Sequence, residues 1–333
     1  MMRPRVRRAL RAIGSLVGFV ILGLHLLLAA PVPRLLVLNK EDATLAIVDP
    51  ASGSVVARVP VGTGPHELAI STDGTTAFAS NYGTGPAPGQ TISMIDIGTA
   101  KEVRRIDVSP LRRPHGLAFV NGKLYFTAEA DRKVARYDPA ADRIDWEFET
   151  GLATTHMVLA TGDGTTLFTS NIGSSSVSLI AQGRDGQWAQ TVIPVGKGPE
   201  GLDLSPDGRM LWSAHTQDGG VSVIDVAGRR VAQTISVGTK RSNRIKLTPD
   251  GALALITDLD AGELVVLDTA TRRPIRRLAL GRMPEGILIP PGGKVAYVAV
   301  NGDNYVAVVD LGTWQVARRI STGTGPDGMA WRP

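Results

Sequence analysis

Apolar residues in this chain follow two patterns. Ala12 to Ala30 form one uncharged apolar run, whereas from Arg34 to the C-terminus the apolar residues come in short runs cut by Gly, Asp, Asn and Pro. The segment from Gly196 to Val237 shows the second pattern most clearly: GKGPEGLDLSPDGRMLWSAHTQDGGVSVIDVAGRRVAQTISV. Its runs (LDLS, MLWSAH, VSVIDV, VAQTISV) are too short for helices and are rich in β-branched residues, which predicts strands. Four short strands joined by tight turns make an antiparallel meander.

The unit repeats. Further copies start near Gly62 (GTGPHELAISTDG), Leu111 (LRRPHGLAFVNG), Leu152 (LATTHMVLATGDG), Gly238 (GTKRSNRIKLTPDG) and Gly281 (GRMPEGILIPPGG), and a half-copy, GTGPDGMAWRP, closes the chain. The half-copy holds only a first strand, and Arg34–Val61 holds only the other three. Together they predict one composite blade joining the chain ends. The expected fold is therefore all-β: a seven-bladed β-propeller over 34–333, closed by strand pairing so that no sheet edge is left open. Three blades depart from the pattern. Leu111–Gly122 lacks S-P-D-G, Lys240–Asn243 replaces G-P, and Gly83–Gln90 enlarges a loop.

The G-x-x-P before strand one, the S-P-D-G turn, the polar residue ending strand two (Asn81, Asn171) and V-x-V-I-D resemble the YVTN family of β-propeller repeats, over essentially all of Arg34–Pro333. The resemblance implies the propeller fold. Architectures of this type include lactonase-like enzymes, surface-layer proteins and quinoprotein or haem-binding propellers, so fold alone does not give function.

Composition narrows the classes. The absence of cysteine excludes disulfides, thiolate metal sites, c-type haem attachment and a lipid-anchored cysteine. Arg3, Arg5, Arg7, Arg8 and Arg11 precede the apolar run, and Leu28-Ala29-Ala30-Pro31 ends it. Residues 1–33 thus read as a signal peptide or as an uncleaved N-terminal membrane anchor through 12–30, with the rest exported to the periplasm or secreted. The formal charge of +5 comes entirely from those five arginines, because 36 Lys+Arg face 31 Asp+Glu in the whole chain. Net charge gives no case for nucleic acid, and the membrane enters only through the N-terminal segment.

Aligning the repeats exposes the candidate chemistry. Directly after the Pro position stand His66, His115, His156, Glu200, Asn243, Glu285 and Asp327. At the end of strand two stand Asn81, Glu129, Asn171, His215, Asp258, Val300 and Asn39. All four histidines beyond the leader fall on these two rings. Convergence of His66, His115 and His156 at the channel mouth would suit a transition metal (Zn, Cu, Fe or Mn), with Glu200 or His215 as a general base. Without metal, the same residues could work as an acid–base pair. The post-Pro position could also carry polar residues only because it opens on channel water.

The loops on this face add Arg112, Arg113, Lys197, Lys240, Arg241 and Arg282. Arg113, Lys240 and Arg241, with Asn243, Glu285 and Asp327, would bind a small, anionic ligand. No G-x-S-x-G, H-E-x-x-H or EF-hand loop is present. Three functions therefore stay open. One is an exported propeller binding a small molecule, metal or partner protein at its mouth. Another is a metal-dependent or His/Glu acid–base hydrolase, lactonase or lyase. The third is a copper or haem-type redox protein.

Overall fold

The structure is a computed structural model that describes residues 32–333; the leader falls outside the described residues. Twenty-eight strands form seven four-stranded antiparallel sheets. Six sheets are continuous in sequence. The seventh has the order β28 (Pro326–Arg332), β1 (Arg34–Asn39), β2 (Thr44–Val48), β3 (Val55–Pro60). This is the expected composite blade, and the Leu35↔Trp331 and Leu36↔Ala330 pairs close the ring. Blades are numbered 1 to 6 from β4 (Pro65–Ile70) onward, and the composite is blade 7. No helix among the described residues is long and apolar enough to cross a membrane.

Burial follows position within a blade. Second and third strands, such as β17 (Met210–His215) and β18 (Gly220–Asp225), are buried almost throughout. Outer strands, such as β23 (Arg273–Ala279), are exposed. Strands covered on both faces by neighbouring blades need continuous apolar runs; an edge strand does not. The turns behave as their sequences dictate. Asp49, Asp96, Asp138, Asp225, Asp268 and Asp310 each accept backbone N–H bonds in the following turn. Blade 2, which lacks S-P-D-G, turns on Asn121-Gly122 with φ of 51° and 74°, the two left-handed residues of a tight hairpin.

First strands line the channel, and every one carries a bulge at its mouth end. In blade 1, Pro65 pairs with Asn81 and Leu68 with Ala79, so His66 and Glu67 share the space of one residue. The same shift recurs in all seven blades. A bulge re-aims side chains and ends regular pairing, and here it affects the post-Pro residue and the one after it.

Glycine in the second bulge position fits blade to blade. A Cβ on Gly328 would lie 2.1 Å from the His66 carbonyl oxygen, and one on Gly116 or Gly201 would lie 2.8 Å from the Cα of Met157 or Arg244. Each glycine lets the backbone of the next blade's larger residue sit against it. Side-chain hydroxyls then fix the ring. Thr127 Oγ1 accepts from Gly116 N and donates to His156 O, Ser170 Oγ links Met157 N to Glu200 O, and Thr257 Oγ1 links Arg244 N to Glu285 O.

Candidate functional site

The post-Pro residues lie near one another at the channel mouth. His66, His115 and His156 stand side by side, with ring centres 5.2 Å apart for the first pair and 3.7 Å for the second. Asn243 donates to Glu200. Lys40 Nζ lies 2.7 Å from Glu285 and 3.1 Å from Asp327.

The strand-two ring does not face the mouth. Asn39, Asn81, Asn171, His215 and Asp258 are buried within the blades. Asn81 and Asn171 bond hydroxyls of their own third strands, and Asp258 accepts the backbone N–H groups of Lys240 and Arg241. His215 does the same kind of work: its Nδ1 is 3.1 Å from Asp218, beneath Gly196 of the inter-blade loop. It is completely buried, and its hydrogen bond leads away from the histidine ring. The position paired with the Pro is Ala128 in blade 2, one residue before Glu129. That offset places Glu129 in a one-turn 3-10 segment, Glu129–Asp131, and frees its carboxylate to enter the mouth.

The residue after the strand-two end is therefore the second position that reaches the mouth, and it contributes Lys40, Tyr82 and Glu129. Tyr82 donates to Glu129 Oε1 at 2.5 Å, and Glu129 Oε2 is 2.7 Å from His156 Nδ1. His156 Nε2 is buried with no partner and lies 3.9 Å from Glu200 Oε1. Arg113 stacks over Tyr82 at 4.7 Å and donates to Thr84 O and Gly85 O of the enlarged loop. Below the ring, Glu67 and Arg244, which stand where four blades have glycine, meet across the channel at 2.5 Å. Arg244 also approaches Glu200 at 3.5 Å.

Burial dominates the electrostatics. It pushes His66 down to about 4, where Lys40 adds to the effect and Asp327 opposes it, and it holds His115 well below the usual imidazole range. Both rings are neutral at pH 7. Burial and the Asp327 charge raise Glu285. Asp327 is itself opposed by burial, but Lys40 and Arg244 hold it low. Burial works against Glu129 as well, yet hydrogen bonds from His156 and Tyr82 bring it below the usual carboxylate range.

Two expectations meet a different geometry. Metal–nitrogen bonds of about 2.0–2.1 Å at tetrahedral angles keep imidazole centres about 5 Å apart. His66 and His115 match that spacing, but His115 and His156 are nearly stacked, with planes 31° apart. Nδ1 of His66 is 2.8 Å from Gly64 O, and Nδ1 of His156 meets Glu129. Among the described residues no group of three or more His, Asp or Glu side chains is placed to hold a metal ion. The three imidazoles thus do not fit a three-histidine centre.

The basic rim is also partly neutralised. Arg112, Arg282 and Arg241 face Asp131, Asp303 and Asp260, while Arg113, Lys197 and Lys240 have no ion pair among the described residues. Inside the mouth, both Lys40 and Arg244 are already engaged by carboxylates.

Structural comparison agrees with this architecture. The periplasmic gluconolactonase of Pseudomonas aeruginosa superposes with a TM-score of 0.73 at 20% identity, over 90% of this chain and 99% of that one. A candidate 6-phosphogluconolactonase of Bacteroides uniformis gives 0.74 at 16%, over 90% and 99%. Hydrazine synthase of Kuenenia stuttgartiensis gives 0.73 at 19%, over 87% and 98%. The chain is a seven-bladed β-propeller. No family profile and no curated sequence relative matches it. At these identities the likeness is one of fold.

Four residues of the mouth escaped the repeat alignment: Lys40, Tyr82, Glu67 and Arg244. A signal for two of them was available, because Glu67 and Arg244 break the P-x-G pattern.

Proposed function

We propose that the channel mouth is an acid–base hydrolytic site for small, uncharged, hydroxyl-bearing lactones or related esters, in an exported protein. The observation that carries this reading is the Tyr82–Glu129–His156 relay, which ends on a buried imidazole nitrogen without a partner. Glu129 accepts the Nδ1–H, so the lone pair on Nε2 is free to take a proton. The 3.9 Å between that nitrogen and Glu200 Oε1 suits one water held between them. Its proton would pass to His156 as its oxygen attacks the substrate carbonyl.

Charge supports an uncharged substrate. The buried cluster holds the carboxyl groups of Glu67, Glu129, Glu200, Glu285 and Asp327 against the two cations Lys40 and Arg244. An anionic ligand would meet no free cation inside the mouth. The unpartnered Asn243 Oδ1 and Asp327 Oδ1 are acceptors that hydroxyl groups could satisfy. These same atoms favour a second reading, capture of a hydroxylated ligand without turnover. Export is supported by the basic and apolar leader and by the fold shared with a periplasmic enzyme.

The test is acid release from uncharged and phosphorylated aldonolactones, followed by pH-stat, for the wild type, His156→Ala and Glu129→Gln. The reading expects turnover of the uncharged compounds and losses of roughly 10²- to 10⁴-fold in each variant. Wild-type protein that hydrolyses no lactone or ester overturns it. Saturable binding by calorimetry without hydrolysis would support the second reading instead.

A further inference from the structure

Arg244 stands where the fold asks for no side chain. The equivalent position is Gly116, Gly201, Gly286 and Gly328 in four other blades. A buried ion pair of this kind is weak support for stability, since desolvation offsets much of its attraction. Its position gives it another use. The guanidinium is fixed by Glu67 at 2.5 Å and Glu200 at 3.5 Å, and that same Glu200 oxygen is 3.9 Å from His156 Nε2. Those two contacts engage at most two of its five N–H groups. A rigid, desolvated cation with spare donors therefore sits beside the proposed base and its water.

We propose that Arg244 is the electrophile of this site, receiving the negative charge that develops on the substrate's carbonyl oxygen. The inference rests on the hydrolytic reading above. As the water oxygen bonds to the carbonyl carbon, its proton moves to His156 Nε2 and the carbonyl π electrons move to oxygen, where the guanidinium N–H groups hold them. When the C=O re-forms, the ring C–O bond breaks, and the proton on His156 passes to the departing alkoxide. The products are a hydroxy acid and the unchanged imidazole. Glu67 and Glu200 balance the arginine's charge in the resting site, so an uncharged substrate enters. The cation is used only as the oxyanion forms. Preorganised donors in a dry site are worth most in that situation.

The repeat itself supplies the variant. Arg244→Gly installs the residue that four blades already use, so the strand keeps its bulge. The expected result is a 10²- to 10³-fold fall in kcat with little change in KM, partly restored by added guanidinium or ethylguanidinium. Arg244→Gly leaves Glu67 buried and unpaired, so Glu67→Gly/Arg244→Gly serves as the folding control. It should melt no lower than the single variant, stay slow and still respond to guanidinium. Full kcat in Arg244→Gly, with activity abolished in His156→Ala, overturns the role of Arg244 and leaves the hydrolytic reading intact. A folded double variant that guanidinium does not rescue also overturns it. A wild type inactive on all lactones and esters removes both.

Discussion

Replacing Lys40 by Met tests the charge balance of the mouth directly, because it removes the cation in direct contact with both Glu285 and Asp327. The ammonium is 2.7 Å from one carboxylate and 3.1 Å from the other. The three side chains are 19%, 10% and 2% exposed, so solvent screens little of the attraction. Removing one partner of a buried pair costs about 3–5 kcal/mol, because the other charge is stranded. The loss must depend on pH. Asp327 is held low in the folded protein by Lys40 and Arg244, so its stabilisation is present above the usual carboxylate range and disappears as pH falls through it. Glu285 is raised, so its burial is a penalty that appears as pH rises above its ordinary value. Without Lys40 that penalty grows.

At about pH 10, above the value of about 8 to which Glu285 is pushed, wild-type Glu285 is ionised beside Lys40. The variant must either strand two carboxylates or keep the proton, and the deficit should be about 4 kcal/mol. At about pH 5 Glu285 carries a proton and can donate to Asp327, so the deficit should fall to about 2 kcal/mol. Denaturant unfolding of wild type and Lys40→Met at both pH values measures this. A deficit below about 1 kcal/mol, or the same deficit at both, would show that the cluster is solvated and not a closed ion network.

His66 gives a prediction of opposite sense: its folded value of about 4 lies below the 6.5 of the unfolded chain, so stability is complete above 6.5 and is lost as pH falls towards 4. The loss amounts to about 3 kcal/mol, and His66→Gln should flatten this acid limb in thermal melts. Tyr82→Phe should lower kcat less than Glu129→Gln does, since the carboxylate still orients His156; an equal loss would mean that the phenol itself transfers the proton. Gly116→Ala places a Cβ 2.5 Å from Val158 N and should prevent or strongly weaken folding, whereas Gly162→Ala meets nothing within 4 Å and should leave the melting temperature unchanged.

The sequence carried the fold because a propeller is written in local signals that repeat. Turn residues, strand runs and a split blade at the termini need no knowledge of long-range contacts. The site was only half readable for the opposite reason. The post-Pro ring could be aligned because Pro marks it. The bulge that follows could not, since a one-residue excess leaves no mark in an apolar/polar pattern. That excess is why Glu67 and Arg244 join the ring residues in the channel. It is also why the polar residue ending strand two, paired with the Pro, turns into the blade while its successor reaches the mouth. His215 and Glu129 looked equivalent in the alignment, yet one is a buried pin and the other reaches the mouth and meets His156. The deviant residues were still visible as exceptions: Glu67 and Arg244 place charged side chains where four blades have glycine. Exceptions to a repeat that its own packing does not require are therefore the better guide to chemistry, and Arg244 is the strongest of them here.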